Sequence, residues 1–211
     1  PCVNIARIPM GGRNFESYGE DPYLTSLIAV NYIKAVQNEN VVATIKHFAV
    51  NNQEHQRDFV NVIVDERALN EIYFPAFKAA VEEANVLAVM CAYNKLNGPY
   101  CSENEYLLVK TLKNKWKFNG LVMSDWGAVH STIPVFNGGL DLEMPEGKYL
   151  NKEKLLDKIK NGDLSETKLD DKVRRILRVM FTIGLFDPDY DRDKYDKSKV
   201  NTDEHKQVAL N

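Results

Sequence analysis

The sequence predicts an α/β fold, an incomplete (β/α)8 TIM-type barrel, and three observations predict it. Short runs that are apolar throughout alternate with amphipathic helical stretches, the mark of strands buried on both faces of a parallel sheet. Polar residues of the kind that do chemistry, Arg13, Lys46, His47, Tyr93 and Asp125, collect just after those runs. In a barrel such loops converge on the C-terminal face, where barrel enzymes build their sites. A doubly wound sheet fits the alternation equally well, and the convergence of polar residues is what favours the barrel. A whole barrel takes about 250 residues. These 211 residues supply five clear runs and open on Pro1 rather than methionine, so the chain is expected to begin inside the barrel as a piece of something longer.

The first run is residues 2–7, followed by the Gly-rich loop 10–13. Asp21 and Pro22 then start a helix, Asp as its cap and Pro at the first helical position. Leu24, Leu27, Ile28, Tyr32 and Ala35 form one apolar face of that helix. The second run, 41–45, ends in Lys46, His47 and Phe48. A polar loop and a strand-like stretch at 59–64 follow. Asp65 caps a helix carrying Leu69, Ile72, Tyr73, Ala76, Phe77 and Ala80, which Pro75 must kink or break. The third run is 86–93. Ser102 and Glu105 have the spacing of a capping box for a helix that ends near Trp116. The fourth run, 120–124, leads into Asp125, Trp126 and Gly127, and the fifth is 139–145. Ser165 is placed to cap a helix through Leu169, Val173, Ile176, Leu177, Met180 and Ile183, stopped by Gly184. From Asp187 the apolar period is lost among charges, which reads as a linker over 187–211 after a barrel part over 1–186.

Composition narrows the function classes. Hydrophobic residues at 44% and charged residues at 27% belong to a globular protein. With 27 basic against 30 acidic residues the net charge is −3, which supplies no basic stripe for nucleic acid. No apolar run reaches the roughly 20 residues of a membrane-spanning helix. Cys2, Cys91 and Cys101 make neither a disulfide framework nor a CxxC zinc pattern. His47 and His55 have no supporting ligand pattern, and HExxH, GxSxG, GxxxxGK[ST] and GxGxxG are all absent, so no metal or nucleotide cofactor is implied. The compartment stays open, with a lean to the cytoplasm.

Taken singly, the polar residues have ordinary explanations. Asp125 after a strand serves as readily for a helix cap as for a catalytic carboxylate. Lys46 can reach solvent, bind a polyhydroxylated ligand or form a Schiff base, and His47 can be a satisfied core group. Arg13 and Arg57 are surface cations by default, and Tyr93 fits a core. Trp126 beside Asp125 offers a flat surface on which a sugar ring can stack. Their shared location at strand ends is the stronger argument.

Three segments read together are more specific: residues 12–22 (GRNFESYGEDP), then Lys46, His47 and Phe48, then 123–126 (MSDW). In this order and spacing they resemble family 3 glycoside hydrolases, most of all the bacterial β-glucosidase branch, and 51–54, 65–69 and 92–98 agree. The resemblance covers residues 1 to about 186. It implies that Asp125 is the catalytic nucleophile and that Trp126 lines the glycone subsite. It also implies that Arg13, Lys46, His47, Arg57 and Tyr93 hydrogen-bond the glycone or orient the nucleophile. Lys46 and Arg57 are the cations expected to favour an ionised Asp125. Members of the family pair the barrel with an α/β sandwich domain, to which 187–211 would lead. The family's early glycone-gripping aspartate would lie before Pro1, and its acid/base glutamate beyond Asn211. Glu16, Glu20, Glu54 and Glu143 are not substitutes for it.

The expected activity is a cofactor-free, retaining, exo-acting β-glucosidase on short β-glucosides, with the missing barrel strands and second domain as intramolecular partners and this piece inactive alone. The Gly-His-Gly loop of the N-acetylglucosaminidases is absent after Lys46 and His47. A β-xylosidase or other family 3 exo-glycosidase, a non-catalytic sugar-binding piece and a Schiff-base lyase using Lys46 are the alternatives.

Overall fold

A computed structural model describes residues 1–188, 198 and 200–211. Its strands are β1 (Thr44–Phe48), β2 (Asn61–Val62), β3 (Ala88–Cys91), β4 (Lys95–Leu96) and β5 (Leu121–Met123). The main sheet runs β1-β3-β5 and is parallel throughout, with Ile45 opposite Val89 and Val89 opposite Val122. Parallel bridges extend it at both sides, Cys2 to Lys46 and Met123 to Leu142. Five strand positions therefore stand side by side in chain order, and each falls in one of the five apolar runs. This is the wall of a TIM-type barrel. The strand-like stretch at 59–64 holds only β2, which pairs in parallel with β4 as a separate two-stranded ribbon.

The helices are α1 (Pro22–Asn38), α2 (Glu66–Ala68), α3 (Pro75–Glu82), a π-type helix at Tyr106–Lys115, α4 (Ile133–Gly138), α5 (Lys152–Lys160), α6 (Glu166–Thr182) and α7 (Asp203–Leu210). Asp21 caps α1 as expected, its carboxylate accepting from the Tyr23 and Leu24 amides. The apolar face assigned to α1 is corrected. The helix buries Thr25, Ala29, Val30 and Ile33, while Leu24, Leu27, Ile28, Tyr32 and Ala35 turn outward. α1 packs on α3, and the small buried residues Thr25 and Ala29 of the one and Ala76, Ala79 and Ala80 of the other suit a close approach.

Pro75 breaks the next helix. After α2, capped by Asp65, the chain makes a π-type turn at Leu69–Tyr73, with the Phe74 amide reaching back to the Leu69 carbonyl. α3 then restarts with Pro75 in its first turn, where the missing N–H costs nothing. Phe48, Phe74, Phe77 and Trp116 pack ring against ring, 4.9–5.8 Å between centroids, and fill the space between sheet and helices.

Two other expectations are corrected. Ser102 caps nothing: it is fully buried in a 3-10 turn, and its hydroxyl donates to the Ala128 carbonyl. Asn104 takes the capping role, accepting from the Leu107 amide at 3.1 Å. On α6, Ser165 bonds the Thr167 hydroxyl and no backbone amide, and Val173 and Leu177 of the expected apolar face are exposed. What α6 buries are Val179, Lys172 and Arg175, the last with its guanidinium gripping the Phe118 and Gly120 carbonyls at 2.9 and 3.2 Å. Long cationic side chains can bury their stems while their heads bond carbonyls. Of the stretch 187–211, residues 189–197 and 199 lie outside the description, and α7 occupies part of the rest. No helix among the described residues is long and apolar enough to cross a membrane.

Candidate active site

β5 ends at Met123, and the turn that follows is stapled to the neighbouring strand position. The Ser124 amide bonds the Leu142 carbonyl, its hydroxyl accepts from the Met144 amide, and the Gly127 amide bonds the Met144 carbonyl, each at 2.9 Å. This fixes Asp125 at the sheet's C-terminal edge, 8% exposed. One carboxylate oxygen accepts from the Trp126 amide at 2.7 Å, and the other lies 3.5 Å from Nε2 of His47. Trp126 is 63% exposed, so its indole is available to a ligand.

Tyr93 follows β3 and reaches across, its hydroxyl donating to the Trp126 carbonyl at 3.0 Å. Burial and the Asp125 carboxylate push its phenol up to about 12. It therefore stays a proton donor near neutral pH. Arg57 lies over the Tyr93 ring, 4.2 Å from its centroid, and binds Glu54 at 2.6 Å.

His47 is buried at the end of β1, with 2% of its surface exposed. Burial, reinforced by the positive charges of Arg13 and Lys46, lowers its pKa to about 3. The ring is therefore neutral near pH 7. Asn4, in the first strand position, wraps it: Oδ1 lies 3.1 Å from the His47 amide and 3.0 Å from Nδ1, while Nδ2 donates to the His47 carbonyl at 2.9 Å.

Lys46 and Arg13 meet on Glu16, Lys46 at 3.2 Å and Arg13 through a short bond from Nε. Burial pushes the Glu16 carboxyl up, but the bonds and charges of those two cations outweigh it and hold the group below its ordinary value. A carboxyl so held cannot donate a proton near neutral pH. The cations expected beside Asp125, Lys46 and Arg57, are thus each paired with another carboxylate. His47 and Tyr93 are the groups that face Asp125.

All seven residues singled out in the sequence are joined in one chain of contacts. It runs Arg13, Glu16, Lys46, His47, Asp125, Trp126, Tyr93, Arg57. The sequence argument missed Glu16, Glu54 and Asn4. Glu16 stands three residues after Arg13 and Glu54 three before Arg57, a spacing that signals ion pairs; Asn4 is a lone amide inside a buried run, a signal in itself. Cys2, Asn4, Arg13, His47 and Asn51 enclose a cavity of about 10 Å³. That is room for about one water. A wider cleft of about 460 Å³ between the π-type helix and α6 holds none of the seven.

Chemically, the arrangement presents one carboxylate with a fixed orientation amid neutral and cationic hydrogen-bonding groups suited to hydroxyls. The comparisons agree with that chemistry. Residues 1–179 match the model of the glycosyl hydrolase family 3 N terminal domain. The chain is similar to thermostable beta-glucosidase B of Acetivibrio thermocellus, 50% identical over 209 residues, which are 99% of this chain and 27% of that protein. It is 49% identical to a beta-glucosidase of Rhizobium radiobacter, over 89% of this chain and 23% of that one. Among solved structures it is similar to beta-glucosidase 3B from Thermotoga neapolitana in complex with glucose, with TM-score 0.88, 44% identity and coverage of 99% of this chain and 30% of that one. The chain thus spans about a quarter of the length of the curated relatives it matches. A family model that takes in nearly every residue of the barrel wall, with relatives half identical along it, places this chain in glycosyl hydrolase family 3.

Proposed function

We propose that this chain supplies the nucleophile and the glycone-facing wall of a retaining, exo-acting β-glucosidase. Asp125 attacks the anomeric carbon from the face opposite the leaving group. As that bond forms and the glycosidic bond breaks, a glutamate outside these 211 residues, about 5–5.5 Å from Asp125, gives its proton to the departing oxygen. Water then releases the glycosyl group from Asp125, surrendering a proton to the same glutamate. Trp126 carries the sugar ring, and Arg13, Lys46, His47, Arg57 and Tyr93 bind its hydroxyls or hold the nucleophile. Residues 187–211 lead towards the domain bearing the glutamate.

The observation that carries this reading is the state of the carboxylates. Glu16 and Glu54 are committed to cations, whereas Asp125 is steered by one amide and has no cation beside it among the described residues. Among the carboxylates joined to the seven residues, it is the one left to attack. The names of the relatives supply the sugar. A lyase using Lys46 is disfavoured, because the amine is engaged by Glu16; borohydride trapping of a carbonyl substrate on Lys46 would revive it.

The test is a slow 2-fluoro glucoside given to the full-length protein. It should leave a covalent sugar on the peptide containing residues 123–126, and Asp125→Asn should abolish the adduct and cost several orders of magnitude in rate. A label on another carboxylate, or inverted product, refutes the assignment. Faster turnover of aryl xylosides than of aryl glucosides would move the substrate to pentosides.

A further inference from the structure

We infer that Asn4 is a positioning residue that fixes His47 as the Nδ1–H tautomer, so that Nε2 meets the substrate as a hydrogen-bond acceptor. The inference rests on the glycosidase reading for the identity of the ligand, a sugar hydroxyl, but not for the tautomer.

The argument begins with the backbone. The His47 amide must donate and its carbonyl must accept, and both turn to the Asn4 side chain, at 3.1 and 2.9 Å. Only one orientation of the Asn4 amide serves both: oxygen towards the His47 N–H, NH2 towards the His47 carbonyl. A flipped amide would set donor against donor and acceptor against acceptor. With the orientation settled, the same Oδ1 stands 3.0 Å from Nδ1 of the ring, and a carbonyl oxygen there requires a proton on Nδ1. The Cys2 thiol is the rival partner of Nδ1, but at 3.8 Å it is a weak donor, and it lies equally near Asn4 Oδ1 at 3.6 Å. The amide wins.

A neutral ring protonated on Nδ1 has a lone pair on Nε2, 3.5 Å from Asp125 Oδ2. Two acceptors side by side select a donor placed between them. A sugar hydroxyl fits that demand; a fluorine or an ether oxygen at the same position does not. The charged groups that act on the ring are Arg13, Lys46, Arg57 and Glu16, with Asp125 in contact. Burial first, and the nearby cations second, keep a second proton away. His47 is thereby a reader of donors rather than a second cation, and the sequence neighbour Lys46 takes the opposite role.

Two measurements test this. Neutron diffraction from D2O-exchanged crystals of the full-length protein at pD 7 should show deuterium on Nδ1 of His47 and none on Nε2. Deuterium on Nε2 overturns the inference whether or not the protein is a glucosidase. The second is the pH profile of kcat/KM on an aryl glucoside for Asn4→Asp, with Asn4→Ala alongside. The Asn4→Asp carboxylate still accepts from Nδ1–H but adds a negative charge against the ring, so a new ionisation should enter the profile between about pH 4 and 7. Asn4→Ala should lower kcat/KM about ten- to a hundredfold without adding that ionisation. A profile for Asn4→Asp that keeps the unaltered protein's shape overturns the positioning role. Absence of glucosidase activity in the unaltered protein would sink the functional reading and leave the tautomer to the neutron map.

Discussion

Acid should weaken this protein through His47, by an amount the structure fixes. In the unfolded chain an imidazole takes up its proton near pH 6.5. In the folded one burial and the nearby cations delay that to about 3. Between those values the unfolded state binds the extra proton, so the stabilisation is complete above pH 6.5 and is lost as the pH falls towards 3. Each unit of difference is worth about 1.4 kcal/mol, so going from pH 7 to pH 4 should remove about 3 kcal/mol through this one ring. The measurement is urea unfolding as a function of pH, for the unaltered protein and for His47→Gln. The substitution removes the Asn4 contact to Nδ1 and lowers stability everywhere, so the informative quantity is the slope. The unaltered protein should lose about 3 kcal/mol more than His47→Gln between pH 7 and 4. His130, whose pKa is also lowered by burial, contributes equally to both proteins. Parallel curves would mean that His47 titrates normally and that its enclosure is wrong.

Two further outcomes follow from buried contacts. Lys113 and Asp141 form an ion pair at 2.6 Å behind β5, with burial pushing the Asp141 carboxyl up and the Lys113 amine down. Lys113→Met strands the carboxylate and should cost about 3–5 kcal/mol in urea unfolding, much of it restored by adding Asp141→Asn, which removes the charge and keeps an acceptor for the Val122 amide; a cost below about 1 kcal/mol contradicts the pairing. Tyr93, held up to about 12, should be silent in a tyrosinate absorbance titration until well past pH 11, as read from the difference between the unaltered protein and Tyr93→Phe. An ionisation near pH 10 in that difference would remove Asp125 as its neighbour.

Much of the wall was legible because a strand buried on both faces must be apolar throughout, whatever it packs against. The five runs became five adjacent strand positions for that reason. Residues after the runs landed together because parallel strands deliver their C-terminal ends to one edge. The α1 face was not legible, since Leu24, Leu27, Ile28 and Tyr32 make as good an apolar stripe as Ala29, Val30 and Ile33. Period identifies a helix; close approach to the alanines of α3 chooses the side. Ser102 shows the same limit for polar groups, because a capping spacing says nothing of a carbonyl 26 residues away that claims the hydroxyl first. Asn4 was hidden by its surroundings: its partner is His47, and only folding brings the two strand positions side by side.

That the strand positions stand in chain order bears on how the protein is made. As the chain leaves the ribosome, each new strand finds the one it must pair with already outside, because every partner precedes it. The intervening segment is equally long for the Cys2–Lys46 and Ile45–Val89 pairings, and then shortens through Val89–Val122 to Met123–Leu142. Closure entropy therefore falls as the sheet grows, and later additions are faster than earlier ones. Among the described strand positions the slow events are the two longest closures, Cys2 with β1 and β1 with β3. Until both are made, the edge that carries Lys46 and His47 keeps an open side, so a pause in translation after β3 would be spent where it helps most.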